Sequence, residues 1–343
     1  MGLRVMVVAA FLAMAAVPAY LAYDAGLFPG PTQASAGVSP GGAASRVASL
    51  AWPDEALGLT ATDLRVLWEQ RDPSAAVAGL WAHDVRTERT HRLLGRSATG
   101  KAAGFPAAAG ELVAWAAWAA RRGDGPSRIE AYDTASTRRW TAAAEGSHPA
   151  AAGKSVLWVG EDGAGAGRDV IRGSDSLTDE EYAIRIDGRV RDLAAWGDWA
   201  AWIAVRGGTA EVWAGSFRTD ARHRLAGAGT AVAIDRDRVV WAERAGRRSA
   251  RIVSWDRHSG STTVLCKVAG SASSLALSER YAAWVTTRDG AGSRVWVVGL
   301  ADGRAHAVSA GARQTSPVIV AGSVYWADDR DGGWALYRQA LRP

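Results

Sequence analysis

The chain has 343 residues, 48% of them apolar, a formal net charge of +5 and a single cysteine. That one cysteine, Cys266, excludes an internal disulfide and a Cys-x-x-Cys redox or zinc site. The 40 basic and 35 acidic residues are interspersed, with no Lys/Arg block carrying interleaved aromatics, which argues against nucleic acid as a partner.

In chain order, Arg4 precedes an uncharged apolar run from Val5 to Tyr23. This is the order of the basic and apolar parts of an export signal. The run is also just long enough to span a bilayer. Residues 1–23 therefore read either as a cleaved signal peptide or as a retained membrane anchor with its C-terminus outside. Val17-Pro18-Ala19 and Ala34-Ser35-Ala36 are the candidate cleavage sites, and no cysteine nearby could carry a lipid. Both readings place the remainder outside the cytoplasm. Residues 24–44 are rich in Pro, Gly, Ser and Ala, without apolar periodicity, and read as a flexible linker.

From residue 45 onward the chain repeats itself. The composition already points there, with 17 Trp against 4 Phe and 7 Tyr. Such a surplus asks for a recurring role in a β-rich core. A short apolar strand ending in Trp recurs at Trp68, Trp115, Trp158, Trp202, Trp241, Trp284 and Trp326, at intervals of 39 to 47 residues. Nine residues before each stands a Pro or an aliphatic: Leu59, Pro106, Pro149, Leu193, Val232, Leu275 and Pro317. A turn such as Gly110-Glu111 or Gly197-Asp198 lies between the two. A polar Gly/Asp/Arg loop follows each Trp. Then come a third strand, anchored for example by Val212-Trp213 or Val295-Trp296, and in most copies a short fourth one.

Alternation sets Val66 and Trp68 on one face of their sheet and Leu67 on the other, so both faces are apolar and both need cover. Four-stranded units arranged radially supply that cover for one another. The expected fold is all-β, a seven-bladed β-propeller of four-stranded antiparallel blades, preceded by an N-terminal hydrophobic signal or anchor helix. The repeats run approximately over residues 53–97, 98–146, 147–188, 189–229, 230–270, 271–312 and 313–343. The last stops after its third strand, and residues 45–52 are expected to supply the fourth and close the ring.

The last unit runs from Gln314 and Pro317 through Gly322, Val324-Tyr325-Trp326 and Asp331 to Leu336-Tyr337. It resembles the repeat of TolB-like propellers, also described as WD40-like. Unit two is similar in Pro106, Gly110, Val113, Trp115 and Tyr132-Asp133. The resemblance covers about residues 45–343 and implies an extracytoplasmic propeller that engages another macromolecule.

No linear catalytic motif is present. No Gly-x-Ser-x-Gly pentapeptide marks a hydrolase nucleophile. Gly153-Lys154-Ser155 lacks the upstream glycine of a phosphate loop and falls on a repeat turn. Asp328, Asp329 and Asp331 lack the spacing and the closing Glu of a calcium loop. The six histidines are scattered, with His91, His223 and His306 on expected outer strands. No catalytic residue, cofactor site or metal site is assigned. Trp196 and Trp199, off the repeat register and flanking the Gly197-Asp198 turn, form the candidate contact patch. The expected function is a non-enzymatic binding module at the cell surface, its partner an envelope or extracellular protein or a cell-wall polymer. The membrane is a further partner if the N-terminal segment is retained. The alternative is a propeller enzyme, a lyase or glycan-acting hydrolase, with its site at the funnel mouth. Such a site draws one residue from each blade and leaves no motif.

Overall fold

A computed structural model describes residues 43–50, 58–71, 78–94, 103–118, 127–162, 168–219, 221–287, 292–308 and 313–341. The expected signal or anchor (1–23) and nearly all of the expected linker lie outside these residues. Among the described residues, no helix is long and apolar enough to cross a membrane.

The described strands form seven separate antiparallel sheets of four. Six sheets take four strands consecutive in sequence, and the seventh takes its fourth strand from the N-terminal side. The first strands are Leu59–Ala61, Ala103–Ala109, Ser147–Ala152, Arg189–Trp196, Gly229–Ile234, Ser271–Leu277 and Gln314–Val320. Each packs against the first strand of the next sheet, and the last packs against the first. This is a closed seven-bladed β-propeller.

Seven apolar clusters fill the seven gaps between blades, and every one is built alike. The second-strand Trp faces the preceding blade. Its strand neighbour, on the opposite face, turns to the following blade. Trp241 packs on Ala201 and Ile203, while Val240 and Ala242 pack under Trp284. The series closes where Trp68 meets Tyr325 and Ala327 of blade seven. All seven indoles are buried. Against the Trp stands an alanine in three gaps, Ala114, Ala201 and Ala283, and a larger side chain in the other four, Leu67, Leu157, Val240 and Tyr325.

A buried indole N–H usually finds a partner. The side chain two residues on supplies it in three blades: Gln70 at 3.0 Å from Trp68, Glu243 at 3.0 Å from Trp241, and Asp328 at 3.2 Å from Trp326.

Blade seven closes as expected. Ser45–Ser49 pairs antiparallel with Ala335–Ala340, Ser45 opposite Arg338 and Ser49 opposite Ala335. Leu50 then donates its N–H to the Trp334 carbonyl at 2.8 Å. Residues 51 and 52 of the expected closing stretch lie outside the described set. A second tie crosses the seam, from Arg338 to Glu88 at 2.7 Å.

Near its start, the first strand of blades two to seven carries a β-bulge. This explains the proline that leads several repeats. Pro106, Pro149 and Pro317 sit at bulges on the strand that borders the channel, where a missing N–H breaks no ladder.

Candidate functional site

The first strands of all seven blades line a central channel of about 380 Å³. Nine of its lining residues are alanines, and Pro, Leu, Val and Ile make up most of the remainder. Among the described residues only Thr60, His148 and Asp192 bring polar side chains to this wall. The alternation explains the alanines. A residue that points from a first strand toward the axis meets six like neighbours, so small side chains are needed for any channel to stay open.

One mouth of the channel coincides with the bulges. His148, Ser274 and Ser316 occupy the same register position there, one residue before the strand's apolar anchor. All three have left-handed backbone, with φ of 47°, 52° and 51°. Non-glycine residues adopt that conformation at a cost of about 1–3 kcal/mol, met by the surrounding structure, and such outliers cluster at functional sites. Asp192 holds the equivalent position in blade four. Its carboxylate accepts the N–H of Leu193 at 3.0 Å and, across the gap to blade five, that of Val232 at 3.0 Å. Burial pushes this carboxyl's pKa up, against the opposing pull of the two N–H groups and Arg191. A carboxyl kept partly out of water and braced by two backbone donors ties two blades together at the channel wall.

The opposite mouth is formed by the turns that join first to second and third to fourth strands. Trp196 and Trp199 close one of them in blade four, paired directly across the Gly197-Asp198 turn. Gly197 takes the left-handed φ of 56° that this tight turn requires. The structure separates the two indoles by environment. Trp196 is 41% exposed, directly after the channel-lining Ala195. Trp199 is packed: His223 stacks on it at 5.8 Å, Trp255 tilts against it at 6.2 Å, and the Arg257 guanidinium lies 4.5 Å above it. Leu177, in a turn of blade three on this same face, is 73% exposed.

Arg218 locks these two turns in place. Its guanidinium reaches Asp198 at 2.8 Å in blade four, and Glu180 at 2.8 Å and Asp175 at 3.3 Å in blade three. It also covers the Tyr182 ring at 5.0 Å. No motif marked Arg218 or Leu177. Both lie in third-to-fourth-strand turns, where the sequence of four blades carries a plain Asp-x-x-Ser/Thr signal and that of blade four, around Arg218, has Ser216 in place of the Asp. Asp84, Asp133, Asp175 and Asp256 each accept the backbone N–H groups two and three residues on. The repeat of that spacing was the available clue to where these turns fall.

The other residues singled out by sequence serve the frame. Gly153-Lys154-Ser155 is a strand-to-strand turn, with Lys154 reaching Asp133 of blade two at 3.2 Å. Asp328 is fully buried, accepting from the Trp326 indole, the Gln314 amide and Arg330. Asp331 accepts the Tyr337 hydroxyl and Asp329 pairs with Arg313. His91, His223 and His306 do lie on fourth strands. Cys266 is half-buried on an outer strand of blade five, its thiol pushed up to about 12 by burial.

No protein-family model matches the chain, and no curated protein sequence matches it either. Solved structures match its fold. The Pyrococcus horikoshii acylaminoacyl peptidase has a TM-score of 0.54 at 12% identity, over 70% of this chain and 46% of that one. Oligogalacturonate lyase in complex with manganese has 0.58 at 11%, over 88% of this chain and 94% of that one. TolB from Acinetobacter baumannii has 0.49 at 17%, over 71% and 62%. The chain thus spans about half the length of the peptidase. At such identities the likeness concerns the fold alone.

Proposed function

We propose that the chain is an exported or membrane-anchored TolB-like propeller that works as a binding module outside the cytoplasm. Its partner is an envelope or extracellular protein or a cell-wall polymer, engaged at the turn face around Trp196. The family part of this reading rests on the repeat of Pro or aliphatic, Gly turn and Val-x-Trp strand. The location rests on the apolar run from Val5 to Tyr23. The observation that carries the binding role is an indole 41% exposed at a channel mouth and held by a turn that Arg218 fixes to its neighbour. An aromatic on a rigid frame supplies contact area at little entropic cost, which suits a recognition anchor.

The test is a photo-crosslinking residue placed at position 196 in intact cells, with Val264 on the outer rim as control. A discrete adduct from 196 and none from 264 is expected. Failure to crosslink from 196, or equal labelling from both, would reject the turn face as the contact. Surface proteolysis of whole cells checks the location independently.

A second reading is favoured by the other mouth. The left-handed His148 and the carboxyl of Asp192 line one channel, and a carboxyl and an imidazole are groups that can serve a lyase or a glycan-acting enzyme as general acid and base. Turnover of an oligosaccharide that Asp192→Asn and His148→Gln each abolish, with unchanged melting, would establish it.

A further inference from the structure

At the outer rim of blade three a surface groove of about 440 Å³ is lined by Arg172, Arg185, Arg222 and Asp162, with Val170 and Ala183 as its floor. Register builds it. Val170 lies opposite Arg185, and Arg172 opposite Ala183, on the paired strands Asp169–Asp175 and Glu181–Arg185. Arg172 and Arg185 are therefore diagonal neighbours on one sheet face, about 7–8 Å apart along the backbone. Arg222 reaches across from the outer strand of blade four and donates to the Arg185 carbonyl at 3.1 Å, which fixes a third guanidinium beside the first two.

Like charges set side by side on a sheet are unfavourable unless something compensates them. Several nearby carboxylates are taken by other arginines: Asp169 and Glu161 by Arg189, Asp187 by Arg168 and Arg206, and Glu211 by Arg224. Glu181, the other diagonal neighbour of Arg172 on this sheet face, is the carboxylate beside the groove. Among the described residues, no ion pair joins Arg172, Arg185 or Arg222 to a carboxylate. Against Asp162 in the groove and Glu181 at its edge, three guanidiniums leave a net positive charge.

From this geometry we infer that the groove is an anion site for a phosphate group. Guanidiniums stay protonated at any physiological pH and present paired donors to such oxyanions. The site is remote from both channel mouths and stands independently of the function proposed above. The phosphate has two possible sources, a soluble phosphate compound or the headgroup of an anionic lipid.

Calorimetric titration of the full chain with inorganic pyrophosphate at low salt tests the site. Saturable binding of one pyrophosphate per chain is expected. Combined Arg172→Gln, Arg185→Gln and Arg222→Gln changes should weaken it about tenfold or more, as the loss of charge-assisted bonds implies. Arg244→Gln with Arg247→Gln, exposed arginines of blade five, should leave it unchanged. A thermal melt establishes that each variant is folded. If the triple variant is not, the three single variants decide, each being expected to bind more weakly. Co-sedimentation with phosphatidylglycerol vesicles, against phosphatidylcholine ones, separates the sources. Vesicle binding lost in the arginine variants names the lipid, and pyrophosphate binding without it names the soluble compound. No saturable pyrophosphate binding, or wild-type affinity in every folded arginine variant, overturns the proposal.

Discussion

Trp241 illustrates the work of a single residue. It fills the gap to blade four, 1% exposed, and gives its indole N–H to Glu243. Trp241→Ala should cost about 3–5 kcal/mol in urea unfolding, the range for an emptied large core position. His83, 2% exposed, gives a pH signature. Its Nδ1 pairs with the Thr90 hydroxyl at 3.1 Å and its Nε2 is buried without a partner. Burial first, and the charge of Arg338 second, hold its pKa below the ordinary value, against Glu88 and Asp84. The unfolded chain takes up that proton near pH 6.5, the folded chain only at lower pH. Stability from this group is therefore complete above about pH 6.5 and drains away as pH falls below it. The urea midpoint should drop between about pH 7.5 and 5.5, and His83→Gln should flatten that drop. At this scale the burial of the seven indoles was legible, because a period of about 43 residues fixes which face each takes. The packing of Trp199 was not. Its partners His223, Trp255 and Arg257 come from two blades, and only the closed ring brings them together.

Among the elements, the third-to-fourth-strand turns carry the clearest chemistry. In Asp84, Asp133 and Asp256 the backbone N–H three residues on is the chief cause of a lowered pKa. In Asp175 burial pushes upward but is outweighed by the N–H groups of Leu177 and Thr178 and by Arg218. A carboxylate depressed on folding stabilises above its unfolded pKa of about 3.9 and loses that contribution as pH falls through the folded value. Asp84→Ala combined with Asp133→Ala should lower the melting temperature at pH 7 and make acid unfolding below about pH 4 less steep. Strand order and turn positions could be read from Pro, Gly and Trp. The bulges could not, because blades four, five and six carry Leu193, Val232 and Leu275 where the other bulged blades carry Pro, so no residue type marks the extra residue throughout. They nonetheless decide where His148 and Asp192 stand, so the polar part of the channel emerged only from coordinates.

For the molecule as a whole, stability hinges on ring closure, which was legible because the last repeat stops after its third strand and residues 45–52 match no other strand of the first. Deleting residues 45–52 should expose the edge of Ala335–Ala340 and cause aggregation. A permuted chain that starts at residue 53 and rejoins 45–52 after Pro343 by a short linker should regain solubility and melting. A truncation that melts normally would refute the role given to the strand. The arginine groove was invisible at this scale too, since its charges are separated in sequence by blade and strand. The clasp has a mechanical corollary. Any load arriving through the chain ahead of Ser45 falls first on four residue pairings with Ala335–Arg338, not on the Trp-filled gaps between blades. Pulled from that end, the molecule should yield at a low-force first step that frees one ribbon, well before the body of the ring tears.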